Sequence, residues 1–191
     1  MTSAVTRSVS IRMPRGWLEI DPRNPDVTAE LTRTAREQWG DGVDAERIAR
    51  HVAPMASGLR ALADETGLVL AGFYADFLGD EDTPLLLTAN ATLAISPPVS
   101  ITDLRHDLYA RSAEKISIRT VDLPAGEGVL ATCEVDLRRT GWTGSGLLHR
   151  YFVPVPDSSR FAVLSLFTPN RDLADLFADV FGAIAESLRF D

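Results

Sequence analysis

At 191 residues, 45% of them apolar and 24% charged, the chain can bury a substantial core, and folding withdraws about 70% of the extended surface of a chain this size from water. Thirteen Gly and eleven Pro are too few for a collagenous or low-complexity class. A formal charge of −8 repels nucleic acid and anionic membrane alike, and a lone cysteine excludes an internal disulfide.

Residues 1–13 lack a cationic n-region and an apolar h-region, and no run of about 18 apolar residues occurs, so a soluble cytoplasmic protein is expected. With no repeat, heptad array or long polar linker, one domain spanning residues 1–191 is expected. Val9, Ile11 and Met13 alternate as a short strand, which Pro14 and Gly16 break before Trp17, Leu18 and Ile20 resume it. The Trp17 indole is expected to pack that corner. Asn24 offers a cap and Pro25 a pre-set φ to a helix with Val27, Leu31, Ala35 and Trp39 on one face, stopped by Gly40 and Gly42. Asp44 can cap a second helix carrying Ile48, Val52, Met55, Leu59 and Leu62, in which Pro54 predicts a kink or break and Gly67 the end.

From Leu68 to Leu78 and from Leu85 to Ile95 long apolar runs flank an acidic turn and predict a hairpin covered on both faces. Pro97 and Pro98 end the second run, and Ser100 with Asp103 forms a capping box for a helix with Leu104 and Leu108. Strands over 116–121, 129–137, 147–155 and 161–167, separated by Gly, Pro and Asp turns, read as an antiparallel meander. Leu173, Leu176, Phe177, Val180, Phe181, Ile184 and Leu188 then keep helical spacing. Meandering strands with interspersed helices predict an α+β fold: a mainly antiparallel sheet of about six or more strands flanked by helices.

The segment Tyr151-Phe152-Val153-Pro154-Val155-Pro156, a turn, 161–168, Pro169-Asn170 and a helix ending Ser187-Leu188-Arg189 resembles uncharacterised bacterial proteins of the PsbP-like fold. Met13-Pro14-Arg15-Gly16-Trp17 is similar to that group's opening strand and corner. The resemblance implies the sandwich fold and an adaptor more readily than an enzyme. It carries over no binding residue, because fold alone does not fix function.

Cys133 alternates with Val129, Ala131, Val135 and Leu137 and reads as a structural thiol, whose apolar burial suppresses the thiolate. His149 is expected on the same face; a Cys/His dyad there would lack an orienting acid, which favours a core histidine. His51, His106 and His149 are scattered, so neither metal nor cofactor is expected. Asp76, Asp80, Glu81 and Asp82 lack the spacing of a calcium loop and read as a solvated turn. In the stretch 141–146, Thr143 and Leu147 occupy the places where a nucleophile elbow around Ser145 needs glycine; a hairpin loop presenting Trp142 is the simpler reading.

The remaining constellation is the other face of the same strand pair. Glu134, Asp136 and Arg138 are expected to face outward beside Arg150 and Phe152, joined by Arg119 if register permits. Such a face is either a solvated set of cross-strand pairs or an open surface for a partner, with the Trp142 loop at its rim. The expected function is a non-enzymatic protein-binding or adaptor module. Two alternatives remain: an enzyme or small-ligand carrier built from dispersed polar residues, and a secretion-associated chaperone or accessory protein. Homo-oligomerisation is left open.

Overall fold

The apolar runs pair into one seven-stranded sheet in the computed structural model, which describes residues 8–39, 67–78, 85–110, 116–136 and 145–191. Beside it lies a two-stranded ribbon made by β1 (Val9–Ser10) and the C-terminal β9 (Arg189–Phe190). The sheet itself contains β2 (Trp17–Ile20), β3 (Leu68–Leu78), β4 (Leu85–Ile95), β5 (Ser117–Leu123), β6 (Gly126–Asp136), β7 (Ser145–Pro154) and β8 (Phe161–Thr168). Its order is β2-β3-β4-β8-β7-β6-β5, and every neighbouring pair is antiparallel. The hairpin and the meander read from the sequence are both present, and the α+β class holds. The opening alternation, however, is shared between two sheets: Pro14 and Gly16 turn the chain so that β1 leaves for the ribbon while β2 joins the main edge.

Among the described residues three helices pack on the sheet: α1 (Val27–Trp39), α2 (Ile101–Ala110) and α3 (Ala174–Glu186), the last entered through a 3-10 turn at Arg171–Leu173. Before α1 the Asn24 Oδ1 accepts the Asp26 N–H at 2.9 Å, which satisfies a backbone donor at the helix entrance, and its Nδ2 donates to the Glu30 carboxylate in the first turn at 2.8 Å. At α2 half of the expected capping box forms: the Asp103 N–H donates to Ser100 Oγ at 3.0 Å, while the Asp103 carboxylate accepts the Ser100 hydroxyl at 2.7 Å rather than its backbone N–H. The second helix expected over 44–62, its Pro54 kink and the acidic tip with Asp80, Glu81 and Asp82 lie outside the described residues.

Register divides the sheet into two faces. On one, Leu130, Tyr151, Leu164 and Leu93 stand side by side across β6, β7, β8 and β4, all buried, and α3 covers them with Phe177, Phe181, Ile184 and Ala185. Each large apolar side chain buried here contributes about 1.5–3 kcal/mol. On the other, Val129, Ala131, Phe152 and Phe161 form a smaller core beneath α2, closed by Leu104 and Leu108. α1 packs against β2, where Ile20, Val27 and Leu31 are all buried.

The motif Thr168-Pro169-Asn170 ends β8 by a side-chain substitution for backbone pairing. Continued in register, Pro169 would stand opposite Thr88 and could offer no N–H. Instead the fully buried Thr168 hydroxyl donates to the Thr88 carbonyl at 2.8 Å, and Asn170 Oδ1 accepts the Thr88 N–H at 2.8 Å. The ladder is completed while the chain turns into α3.

Candidate functional site

α3 packs mainly on β7 and β8, and the apolar face beneath it continues through Leu130 of β6 to the edge strand β5. Along β5 the residues alternate, so Ser117, Arg119, Val121 and Leu123 share the α3 face while Ile118, Thr120 and Asp122 share the α2 face. Arg119 stands opposite Leu130, which in turn stands opposite Tyr151. The row that is apolar under α3 therefore ends in an exposed guanidinium. Arg119 forms no ion pair with an acid among the described residues. Val121 and Leu123 are half-buried against the main core beside it.

One turn along the same face, Glu134 is engaged rather than solitary. Its Oε1 accepts the Ser145 hydroxyl at 2.6 Å and pairs with Arg171 Nη1 at 2.9 Å. This clasp ties β6, the start of β7 and the entrance to α3. Both ionic partners are more than half exposed, so the pair contributes at most about 1 kcal/mol. Asp136 stands opposite Ser145 at the end of the ladder.

His149 forms the inner boundary of the site. Its ring is buried, set edge-on to Phe181 with centroids 5.5 Å apart and tilted against Tyr151 at 6.5 Å. Its Nδ1 is buried with no hydrogen-bond partner among the described residues. Burial first, and then the positive charge of Arg119, hold its pKa below 6.5, so it packs as neutral imidazole. Burial also raises the Tyr151 phenol; Arg119 opposes that rise and Glu186 adds to it.

The register corrects two expectations. Cys133 is opposite Leu148, and His149 is opposite Thr132, so the cysteine and histidine lie on opposite faces of the sheet and no dyad can form. For the same reason Glu134 and Asp136 do not share a face with Arg150 and Phe152. Phe152 is buried beneath α2 and is a core residue, while the half-buried Arg150 donates from Nε to Ser165 at 3.1 Å on that α2 side. The cause is that β7 is apolar on both sides, as in Leu147-Leu148 and Phe152-Val153, because helices cover both; such a run does not reveal which parity faces which helix. Of the expected constellation, Arg119, Glu134 and Asp136 share a face, Arg150 and Phe152 do not join them, and Arg138 and Trp142 lie outside the described residues. Arg171, absent from the sequence reading, joins the site because the Thr168-Pro169-Asn170 turn brings it back over β7.

His149 does not serve Ser145 as a base: it is four residues away along β7, roughly 13 Å for an extended strand. Among the described residues no group of three or more His, Cys, Asp or Glu side chains converges as metal ligands, and no helix is long and apolar enough to cross a membrane.

No family model matches the chain, and no curated protein matches it significantly. Among solved structures it is similar to LpqN of Mycobacterium tuberculosis, a protein described as involved in cell envelope biogenesis. The TM-score is 0.50 at 10% sequence identity, covering 97% of this chain and 84% of that one. The likeness is one of fold: an antiparallel sheet with flanking helices.

Proposed function

We propose that the protein is a non-enzymatic binding module that engages a protein partner through the α3-side face of β5 and β6, with Arg119, Glu134 and Arg171 as its charged contacts. The observation that carries this reading is the end of the α3-side apolar row at the edge strand β5. It sets an exposed guanidinium, without an ion-pair partner among the described residues, beside half-buried Val121 and Leu123, the mixture of apolar and charged surface that partner patches present. The resemblance of 151–156 and of Thr168-Pro169-Asn170 to the PsbP-like fold supports the same direction, since that fold resembles an adaptor more than an enzyme. The partner is a protein rather than nucleic acid or anionic membrane, which the charge of −8 would repel.

Affinity capture from native lysate tests the reading. Arg119→Glu with Glu134→Lys is expected to lose partners that the unaltered chain retains, with circular dichroism unchanged; undiminished capture by this folded double variant removes the proposal. The shared fold with a protein involved in cell envelope biogenesis favours a second reading, an accessory role in that process. Cell fractionation separates the two: the binding-module reading goes with a cytoplasmic protein, the accessory reading with the envelope fraction.

A further inference from the structure

Building on the binding-module reading, we infer that the outer edge of β5 takes up an extended segment of another protein as an added antiparallel strand. That segment carries a basic residue opposite Asp122 and, three residues later in its own sequence, an acidic residue opposite Arg119. β5 is one of the two sheet edges, seven residues long against four for β2, and no described strand pairs with its outer side. A strand in that position leaves alternate backbone N–H and C=O groups directed away from β6, a template for one further strand.

Charge then selects the occupant. Arg119 and Asp122 are both exposed and neither has an ion-pair partner among the described residues. Three positions apart, they project from opposite faces of the strand. A second copy of the chain cannot satisfy them. A two-fold axis that pairs β5 with its copy runs normal to the sheet and matches residues of equal parity, so Arg119 would face Ser117, Arg119, Val121 or Leu123, never Asp122. A different chain has no such restriction. In antiparallel pairing, the residue opposite Asp122 precedes the residue opposite Arg119 by three, which gives the order basic-x-x-acidic from N to C. The segment needs no net charge, so the overall −8 of this chain does not oppose it. Opposite Ile118, Thr120 and Val121, the cross-strand preferences are β-branched residues.

The probe is an end-blocked, fluorescein-labelled heptapeptide, Thr-Lys-Val-Thr-Glu-Val-Thr, with its charge-swapped counterpart Thr-Glu-Val-Thr-Lys-Val-Thr. Fluorescence anisotropy is expected to show the first binding about tenfold or more tighter, because two attractive pairs become two repulsive ones in the second. The order of preference reverses on Arg119→Glu with Asp122→Lys. N-methylation of the peptide nitrogens along one edge abolishes binding, while methylation along the other edge does not. Should the double variant fail to fold, the swap and the methylated peptides on the unaltered protein decide alone. Equal binding of both peptides, no binding of either, or indifference to methylation overturns the inference. So does a dimer of the chain alone that Val121→Lys dissociates, which would assign the edge to a second copy. Loss of edge pairing with lysate capture still sensitive to Arg119→Glu and Glu134→Lys would refute the added strand and leave the binding face standing.

Discussion

Gly146 shows how little room individual side chains have at the end of the sheet where the site is built. A Cβ there would fall into the Phe167 ring and within 2.7 Å of the Thr168 carbonyl. The ring can swing only by leaving its packing, and the carbonyl belongs to the strand end that Thr168 and Asn170 hold against Thr88. Gly146→Ala is therefore expected to destabilise by about 1–3 kcal/mol, the range for overpacking, measured as a lower urea midpoint at unchanged slope. Thr168→Val tests the neighbouring device, since it keeps the shape and removes the hydroxyl that serves the Thr88 carbonyl at 2.8 Å. A loss of about 1–3 kcal/mol is expected, because a buried carbonyl is left without its donor. An unchanged midpoint would mean that water replaces the hydroxyl and that the strand end is open.

At the scale of elements, α3 decides which part of the sheet is core and which is surface. It ends where Ser187 Oγ donates to the Ile184 carbonyl at 2.6 Å and accepts the Arg12 N–H at 2.8 Å, so its last turn also anchors the segment leading out of β1. Arg189 closes the end by donating to the Glu186 and Leu188 carbonyls at 2.7 Å each, a cation at the negative pole of the helix. Phe181→Ala removes the fully buried ring between His149 and Phe177 and is expected to cost about 3–5 kcal/mol by thermal or urea unfolding. The existence of such elements was legible because their signals are local: the Ser100 and Asp103 box, the Asn24 cap, the spacing of Phe177, Phe181 and Ile184. The division of faces was not. Where a strand is covered on one side its alternation identifies the buried parity, but β7 is covered by α3 on one side and α2 on the other, so Phe152 and Val153 look equally internal. Only pairing partners fix the phase, and those depend on the turn between β6 and β7. The candidate site was accordingly legible in part: Arg119, Glu134 and Asp136 share a face, Phe152 proved to be core, and Arg171 had no signal because it arrives by a chain reversal.

For the whole molecule, the placement of His149 links the α3 interface to pH. Its pKa is held below 6.5 by burial and then by Arg119, so the unfolded chain binds the proton more readily than the folded one. Well above pH 6.5 both states are neutral at this residue and it contributes no pH dependence. As pH falls below 6.5 the unfolded state is protonated first and stability declines, until the folded histidine titrates in turn and the loss is complete. The other groups that face the ring's surroundings are Glu134 on β6, Tyr151 on its own strand and Glu186 on α3; the last acts on Tyr151. An excess of eight acidic charges also titrates as the pH drops, so the stability of the unaltered protein alone mixes several groups. The difference between it and His149→Phe cancels the shared part. That difference, from urea unfolding across about pH 5 to 8, is expected to level off well above 6.5 and to shift in favour of the variant as the pH falls through it. Well above 6.5 the variant should be as stable as the parent or slightly more so, because the substitution removes a buried Nδ1 that has no partner among the described residues. A difference that does not change with pH would place the protonated imidazole in contact with water and sever α3 docking from this titration.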